Sequence, residues 1–249
     1  MNFGFIIPVY RHGSTLESVV KNLVPFNYPI IVVDDGNDEE NRRYIEAVEK
    51  NYSLVTVITH KKNMGKGKAI FSAVREANRL GLTHVLQIDS DGQHDAGRVE
   101  FFIKKSQENP DAIICAYPEY DKDAPQERVN GRSFANNWVH KVTFSKEIID
   151  GMIGFRVYPV APFVKMLKHT LYVDSRMGCD IEILVRLYWK GIKVVSEPVK
   201  IFYPKDGISN YNYFTDTVRL SWMYTRLCAE LIFRFPFVLI NNHKRKKNG

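Results

Sequence analysis

Short apolar runs alternate with amphipathic stretches along most of the chain, which predicts strands alternating with helices. The runs that predict strands are residues 3–9, 30–33, 54–59, 84–88, 111–116 and 192–196. Apolar residues at helical spacing predict helices at 16–23, 38–50, 70–77, 96–107, 132–144 and 159–167, one opening at 180, and one or two within 213–240. Strands and helices in this order are typical of a mostly parallel sheet with helices on both faces.

Acidic residues follow two of the predicted strands. Asp34 and Asp35 end one strand, and Asp89 and Asp91 follow another, before Gly92. Residues two apart on an extended chain share a face, and ligands of open α/β sheets bind at the carboxyl ends of strands. Two carboxylates aimed at one point favour a hard divalent cation, Mg²⁺ or Mn²⁺, which keeps positions open for water and substrate phosphates.

The acidic segment has two other interpretations. Asp89, Asp91 and Glu100 occupy the first, third and twelfth positions of an EF-hand calcium loop, but His94 stands where that loop needs glycine. The preceding residues are also strand-like rather than helical. A solvated acidic turn is the simpler alternative, since such turns are common after strands.

A basic, glycine-containing segment precedes the helix predicted at 70–77. Its sequence is Gly65-Lys66-Gly67-Lys68, and neither nucleotide-binding fingerprint is complete, because Ile70 stands where GxGxxG requires its third glycine. A helix N-terminus of this kind can hold a diphosphate through backbone N–H groups and Lys66. A solvated basic turn is the alternative.

Composition narrows the class of protein. The chain has 249 residues, a formal charge of +7 and 45% hydrophobic residues, which is enough for a full core and favours an anionic partner. Three scattered cysteines match neither a disulfide framework nor a zinc site, so a reducing cytosol is expected. We find no secretory leader and no apolar run of about 20 residues, which predicts a soluble or peripheral protein. The basic residues lack a nucleic-acid-binding motif, so no nucleic acid partner is expected.

The C-terminal part differs from the rest in composition. We predict a domain over residues 1–210 and a helical segment over 211–249, rich in aromatics and ending in the basic run 243–247. Such a segment suits docking on an anionic membrane, and the alternative is a core-packed helix with a disordered tail. The polar stretch 118–131 is predicted to be a lid over the site.

Four segments, in order, resemble the successive blocks of family 2 glycosyltransferases. They are Ile6-Ile7-Pro8-Val9-Tyr10, Val32-Val33-Asp34-Asp35-Gly36, Asn63-Met64-Gly65-Lys66-Gly67 and Asp89-Ser90-Asp91-Gly92-Gln93-His94-Asp95. The likeness is greatest to dolichyl- and polyprenyl-phosphate sugar synthases, and Gly154-Phe155-Arg156 and Asp180-Ile181-Glu182 extend it. The segment 203–209 is instead similar to bacterial members associated with lipid assembly.

The resemblance implies a GT-A fold, an α/β architecture with a mostly parallel central sheet, and a role for each matching residue. A nucleotide-diphosphate sugar would be bound by Pro8, Tyr10, Asp34, Asp35, Gly36, Lys66 and Asp89. The divalent metal would be held by Asp89, Asp91 and Gln93. Beyond what the resemblance implies, Asp180 is our candidate for the catalytic residue, because it opens a helix with Glu182 two residues on. Arg128, Arg132 and Arg156 are candidates for binding the acceptor phosphate, and a surface or structural ion pair is the alternative for each.

The expected activity is inverting transfer of a sugar to a lipid-linked or lipid acceptor at the cytoplasmic face of a membrane. Asp180 would act as general base toward a hydroxyl, whereas a lipid phosphate is already a nucleophile and needs only positioning. Two other functions stay open: a non-catalytic nucleotide-sugar-binding scaffold, and a nucleotidyltransferase, although the latter's Gly-rich triphosphate loop is missing after the first strand. The sequence also leaves open whether the chain forms a homo-oligomer.

Overall fold

In the part of the chain that the structure describes, the fold is built on one sheet of seven strands in the order β3-β2-β1-β4-β6-β5-β7. The computed structural model describes residues 1–92, 96–119, 126–200 and 213–247. All strand pairs are parallel except the two that β6 makes with β4 and β5. The predicted mostly parallel α/β architecture is therefore confirmed.

Helices and strands alternate in chain order, as the pattern predicts. The strands are β1 Phe3–Val9, β2 Ile30–Asp34, β3 Val55–Thr59, β4 His84–Gln87, β5 Ala112–Glu119, β6 Arg156–Pro159 and β7 Lys193–Lys200. The helices are α1 Gly13–Leu23, α2 Glu39–Asn51, α3 Lys66–Arg79, α4 Val99–Glu108, α5 Gln126–Thr143, α6 Val160–Lys168, α7 Cys179–Trp189 and α8 Tyr213–Lys247.

Both faces of the sheet are covered, because alternate side chains of each buried strand point to opposite sides. On β1, Phe5 and Ile7 pack into a cluster with α1, α2 and α4, whereas Ile6 packs with α3, α6 and α7. The second cluster also includes Met223 and Leu227 of α8. The C-terminal helix thus shares a hydrophobic core with the sheet.

Two elements differ from the sequence-based expectation. The short strand β6 was not predicted, since its four residues directly precede a helix and its neighbours β4 and β5 are distant in sequence. Helix α5 begins at Gln126, inside the stretch predicted to be a lid. The rest of that lid, residues 120–125, lies outside the described residues, as does the segment 203–209.

Helix α8 is one helix of 35 residues, and it includes the whole basic run 243–247 that the alternative interpretation treated as a disordered tail. Pro236 lies inside it. Among the described residues, we find no helix that combines the length and the apolar content needed to cross a membrane.

Candidate active site

Lys66 joins two carboxylates from different parts of the chain. Its ammonium group lies 2.8 Å from Asp89 Oδ1, 2.9 Å from Asp89 Oδ2 and 2.8 Å from Asp180 Oδ2. Lys66 is the first residue of α3, Asp89 follows β4, and Asp180 is in the first turn of α7. Three elements of the fold therefore meet at one ammonium group.

The carboxylates determine the protonation of this lysine. Burial by itself would lower the pKa of Lys66, but the charges of Asp180 and Asp89 outweigh burial and raise that pKa well above the ordinary value. A helix N-terminus also disfavours a cation at the first residue of α3. The charged lysine is thus held in place by its two acidic partners.

Two neighbours of this cluster were not predicted. Gln87, the last residue of β4, is fully buried and donates from Nε2 to Asp180 Oδ1 at 3.0 Å. A Cβ atom on Gly154 would lie 2.7 Å from Lys66 Nζ, 2.8 Å from Gln87 Nε2 and 2.9 Å from Asp89 Oδ2. A polar residue ending an apolar strand is the signal that could have indicated Gln87. The position of Gly154 depends on β6, which the pattern did not predict.

Asp35 holds the loop that leads to Lys66. Its buried carboxylate accepts hydrogen bonds from His60 Nδ1 at 2.8 Å, Asn63 Nδ2 at 3.0 Å, Met64 N at 2.9 Å and Gly65 N at 2.7 Å. The backbone N–H groups that were expected to meet a diphosphate thus bind Asp35. The N–H of Gly67 likewise donates to Ser175 O at 3.0 Å. The Lys66 ammonium group, which was also predicted to hold the diphosphate, lies beside the carboxylates of Asp89 and Asp180.

The other residues expected to bind the donor lie beside this loop. Asp34 is buried at the end of β2 and accepts from Asn37 N at 2.9 Å and Asn37 Nδ2 at 2.7 Å. Gly36 has a φ of +69°, and the backbone of Lys62 and Asn63 occupies the place of its missing Cβ. Only glycine allows this close approach.

Pro8 and Tyr10 stand at the carboxyl end of β1, next to β2. Pro8 is paired with Val33 in the parallel register, and Tyr10 is partly exposed. The Arg11 guanidinium group lies 5.1 Å from the centroid of the Tyr10 ring. The structure thus brings the residues of the first two blocks to the same sheet edge as Asp89.

The turn that carries Asp91 is hydrogen-bonded to α1. Thr15 Oγ1 donates to Ser90 O at 2.5 Å, and Gly92 has a φ of +72°. Asp91 is partly exposed on this turn, whereas Gln93 lies outside the described residues. Within the described part of the chain, no group of three or more His, Cys, Asp or Glu side chains is arranged to hold a metal ion.

Arg156 is not placed to bind an acceptor. It is fully buried, and its guanidinium group donates to Asp180 O at 2.6 Å, Gly151 O at 2.8 Å and Tyr158 Oη at 3.1 Å. The expectation that Arg156 binds the acceptor phosphate is not supported, because its donors hold the backbone around Asp180. Arg156 instead fixes the start of α7.

The other two arginines are placed differently. Arg132 NH1 lies 3.1 Å from both oxygens of Asp150, whose buried carboxylate also accepts from Met152 N and Ile153 N. Burial would raise the pKa of Asp150, but Arg132 and these N–H groups lower it below its ordinary value. The Arg128 side chain lies outside the described residues.

Glu182, two residues after Asp180, connects the site to α8. It is fully buried and accepts from Arg186 Nε at 2.8 Å, Arg226 NH2 at 2.9 Å and the Asp174 backbone N–H at 2.7 Å. A buried carboxylate needs such partners. Sequence reasoning placed Glu182 in a family block but gave it no partner, because Arg226 is distant along the chain.

Comparison with known proteins identifies the family. The Glycosyl transferase family 2 profile matches residues 5–169. An uncharacterised protein of Methanocaldococcus jannaschii is 29% identical over 211 residues, which cover 82% of this chain and 90% of the relative. A UDP-N-acetylglucosamine--dolichyl-phosphate N-acetylglucosaminyltransferase of Methanococcus voltae is 26% identical over 218 residues, covering 80% of this chain and 84% of the relative.

A solved structure supports the fold. Glucosyl-3-phosphoglycerate synthase of Mycobacterium tuberculosis, crystallised with Mn²⁺, UDP-glucose and phosphoglyceric acid, is similar with a TM-score of 0.63 and 15% sequence identity. The similarity covers 94% of this chain and 79% of the synthase. The profile match and this structural similarity together show that the chain belongs to glycosyl transferase family 2 and is a glycosyltransferase with the GT-A fold.

Proposed function

We propose that this glycosyltransferase moves a sugar, with inversion, from a nucleotide-diphosphate sugar to a polyprenyl phosphate, and that it uses Mg²⁺ or Mn²⁺. The observation that carries the proposal is the Lys66 ammonium group between the carboxylates of Asp89 and Asp180. This cluster lies at the carboxyl ends of the strands, where α/β folds bind ligands. The Methanococcus voltae relative, whose name gives a UDP-sugar donor and a dolichyl-phosphate acceptor, supports the same substrate classes.

The donor would lie across the edge formed by β1, β2 and β4. Pro8, Tyr10, Asp34 and Gly36 would border the nucleoside, and Asp35 keeps the loop to Lys66 in position through its four hydrogen bonds. Lys66 supplies a positive charge for the diphosphate. That charge would stabilise the leaving group as the bond to the anomeric carbon breaks.

The donor set fits a divalent metal in its chemistry. Asp89 and Asp91 offer hard carboxylate oxygens, and Mg²⁺ commonly uses one or two protein carboxylates together with substrate phosphates and water. Gln93 would be a third ligand. When bound, the metal would neutralise charge that develops on the leaving diphosphate.

The placement of Asp180 favours an acceptor that is already a nucleophile. One of its oxygens accepts from Gln87 and the other from Lys66, so both face donors inside the protein. A hydroxyl would need a base to take its proton, whereas an ionised phosphate oxygen can attack the anomeric carbon directly. In this reaction one glycosidic C–O bond forms as the bond to the nucleoside diphosphate breaks, and Asp180 contributes by holding the Lys66 ammonium group in place.

The donor is tested by calorimetry with UDP, GDP and dTDP sugars, in Mn²⁺ and then in chelator. We expect binding of one nucleotide class in Mn²⁺ only. Asp91→Ala should abolish that binding, whereas Asp111→Ala, which removes an exposed acid before β5, should leave it unchanged. Normal donor binding by Asp91→Ala would show that the metal site has been assigned to the wrong residue. If the wild-type protein binds no donor in Mn²⁺, the proposed donor site is wrong, and with it both the transferase and the nucleotide-sugar-binding scaffold.

The acceptor is tested by transfer of labelled sugar to polyprenyl phosphate and to the matching polyprenol. We expect product from the phosphate alone. Asp180→Asn should keep a measurable rate with the phosphate, because no proton has to be removed. Equal transfer to the polyprenol, together with complete loss in Asp180→Asn, would mean that the acceptor is a hydroxyl and that Asp180 is a base.

A further inference from the structure

Helix α8 carries an exposed apolar stripe on the side that faces away from the protein. Its members recur at helical spacing, so they lie on one side of the helix. We name it the outer stripe, and it consists of Val218, Trp222, Ile232, Phe233, Phe237 and Ile240. Phe233 is 81% exposed and Ile232 is 74% exposed. A surface helix normally turns such residues inward, so these exposed apolar side chains on one side of α8 indicate an interaction site.

The opposite side of α8 is fixed to the protein, so the helix cannot rotate to bury the outer stripe. Met223, Leu227 and Val238 are fully buried in the core. Arg226 binds Glu182, and Glu230 Oε2 accepts from Arg186 NH1 at 2.7 Å. The exposure of the outer stripe is therefore a consequence of the fold.

The charges at the C-terminal end of α8 indicate a negatively charged partner. Lys244, Lys246 and Lys247 are exposed in its last turn. The two acidic residues of α8 are both held by the protein: Asp216 is buried, and the partly exposed Glu230 is paired with Arg186 and Arg234. The exposed side of α8 thus combines large apolar side chains with positive charge, and the negative charge of Glu230 is already paired with arginines. We propose that α8 lies on an anionic lipid bilayer through the outer stripe and these lysines.

A second copy of the chain fits this surface less well. Two outer stripes could cover each other, but the terminal lysines would then find no carboxylate on the facing helix. Anionic headgroups supply that negative charge and attract basic residues that lie near the bilayer surface. Charge complementarity therefore favours the bilayer.

The same helix would carry the active site to the lipid surface. Arg226 lies against the Tyr172 ring at 4.4 Å and binds Glu182, which is two residues from Asp180. Leu171 beside Tyr172 is completely exposed. The membrane contact thus lies one helix away from Asp180. This functional consequence rests on the proposed lipid acceptor, whereas the docking itself does not.

Vesicle flotation without donor or acceptor tests the docking. The full chain is mixed with phosphatidylcholine vesicles, alone or with about a third phosphatidylglycerol, at low and at high salt. We expect binding at least tenfold stronger to the anionic vesicles, weakened by salt. The doubly substituted variant Phe233→Glu, Phe237→Glu should lose at least tenfold in binding. The variant in which Lys244, Lys246 and Lys247 are changed to Gln should lose the preference for anionic lipid.

A matched control and two parallel measurements make the outcome decisive. Leu80→Glu changes an exposed apolar residue next to α3, away from α8, and should bind vesicles as the wild type does. Unchanged flotation of Phe233→Glu, Phe237→Glu overturns the proposal. The proposal is also overturned if the wild type is a dimer, the double variant is a monomer and neither protein floats with vesicles. Donor calorimetry on the same samples separates the two proposals: vesicle binding without donor binding refutes the transferase, and the reverse refutes the docking.

Discussion

The Lys66 ammonium group lies 2.8 Å from Asp180 Oδ2, and the same nitrogen contacts both oxygens of Asp89. This relationship joins the first residue of α3 to the first turn of α7. The positive charge of Lys66 keeps two carboxylates close together that would otherwise repel each other. Lys66 holds the two acids together, and in the proposed reaction the same positive charge would also face the anionic donor.

Removal of the Lys66 charge should destabilise the fold in a pH-dependent way. We expect Lys66→Met to lower the free energy of unfolding at neutral pH by about 3 kcal/mol, because a partly buried pair loses one partner. The folded-state pKa of Lys66 is raised, so its stabilisation is complete below the unfolded-state pKa and is lost as the pH rises through the folded-state value.

Urea unfolding of the wild type and Lys66→Met, from pH 6 upward, measures this difference. The gap between the two proteins should be constant up to pH about 10, the ordinary lysine value, and should shrink only above it. A gap that already shrinks between pH 7 and 9 would show that Lys66 is not held charged by the two carboxylates.

A side chain at position 154 should displace the groups of the candidate active site. Even the methyl group of Gly154→Ala would lie 2.7–2.9 Å from Lys66, Gln87 and Asp89, so these groups must move. We expect donor binding to weaken at least tenfold in calorimetry. Gly131→Ala is the matched control, because a Cβ there meets nothing within 4 Å and its helix should gain about 0.5–1 kcal/mol of stability. Equal donor binding by the two variants would separate Gly154 from the site.

Arg226 should contribute far more to stability than a similar arginine on the same helix. Arg226→Gln leaves the fully buried Glu182 with fewer partners, and we expect a loss of about 3 kcal/mol. Arg234→Gln breaks a more exposed pair with Glu230 and should cost less than about 1 kcal/mol. Urea unfolding of both variants gives the comparison. Similar losses would mean that α8 is not held to α7 through Glu182.

The sequence predicted the parts of this site that local pattern determines. Apolar runs and the acids behind them placed Asp34, Asp35, Asp89 and Asp91 at strand ends, because the carboxyl ends of parallel strands share one edge. The contact of Lys66 with Asp180 could not be predicted in this way. It depends on how α7 returns to the sheet, and no periodicity carries that information.

The partners of buried polar side chains could not be predicted from the sequence pattern either. Arg156 was a candidate for binding the acceptor phosphate, with a structural ion pair as the alternative, because the sequence does not show which partners an arginine has. Its partners Asp180, Gly151 and Tyr158 gather around it only because β6 runs antiparallel between β4 and β5. That strand has four residues and lies between a loop and a helix, so local pattern could not reveal it.

Arg156 should act through the position of Asp180 rather than through the acceptor. Arg156→Met removes the donors that satisfy two backbone carbonyls and the Tyr158 hydroxyl, and we expect a loss of at least about 3 kcal/mol in urea unfolding. The turnover number should fall with it, because the first turn of α7 is then free to move. The KM for polyprenyl phosphate should stay within a factor of about two, since a binding contact worth a full 1.4 kcal/mol would change it tenfold.

The matched variant is Arg132→Gln, which changes a partly exposed arginine paired with Asp150. If Arg132 contributes to acceptor binding, its loss should raise the KM for the phosphate acceptor and leave the turnover number nearly unchanged. The opposite result, a raised KM with intact stability in Arg156→Met, would place the Arg156 guanidinium group at the acceptor. It would then have to leave the backbone carbonyl of Asp180 during the reaction, and the start of α7 would be the moving part of the site.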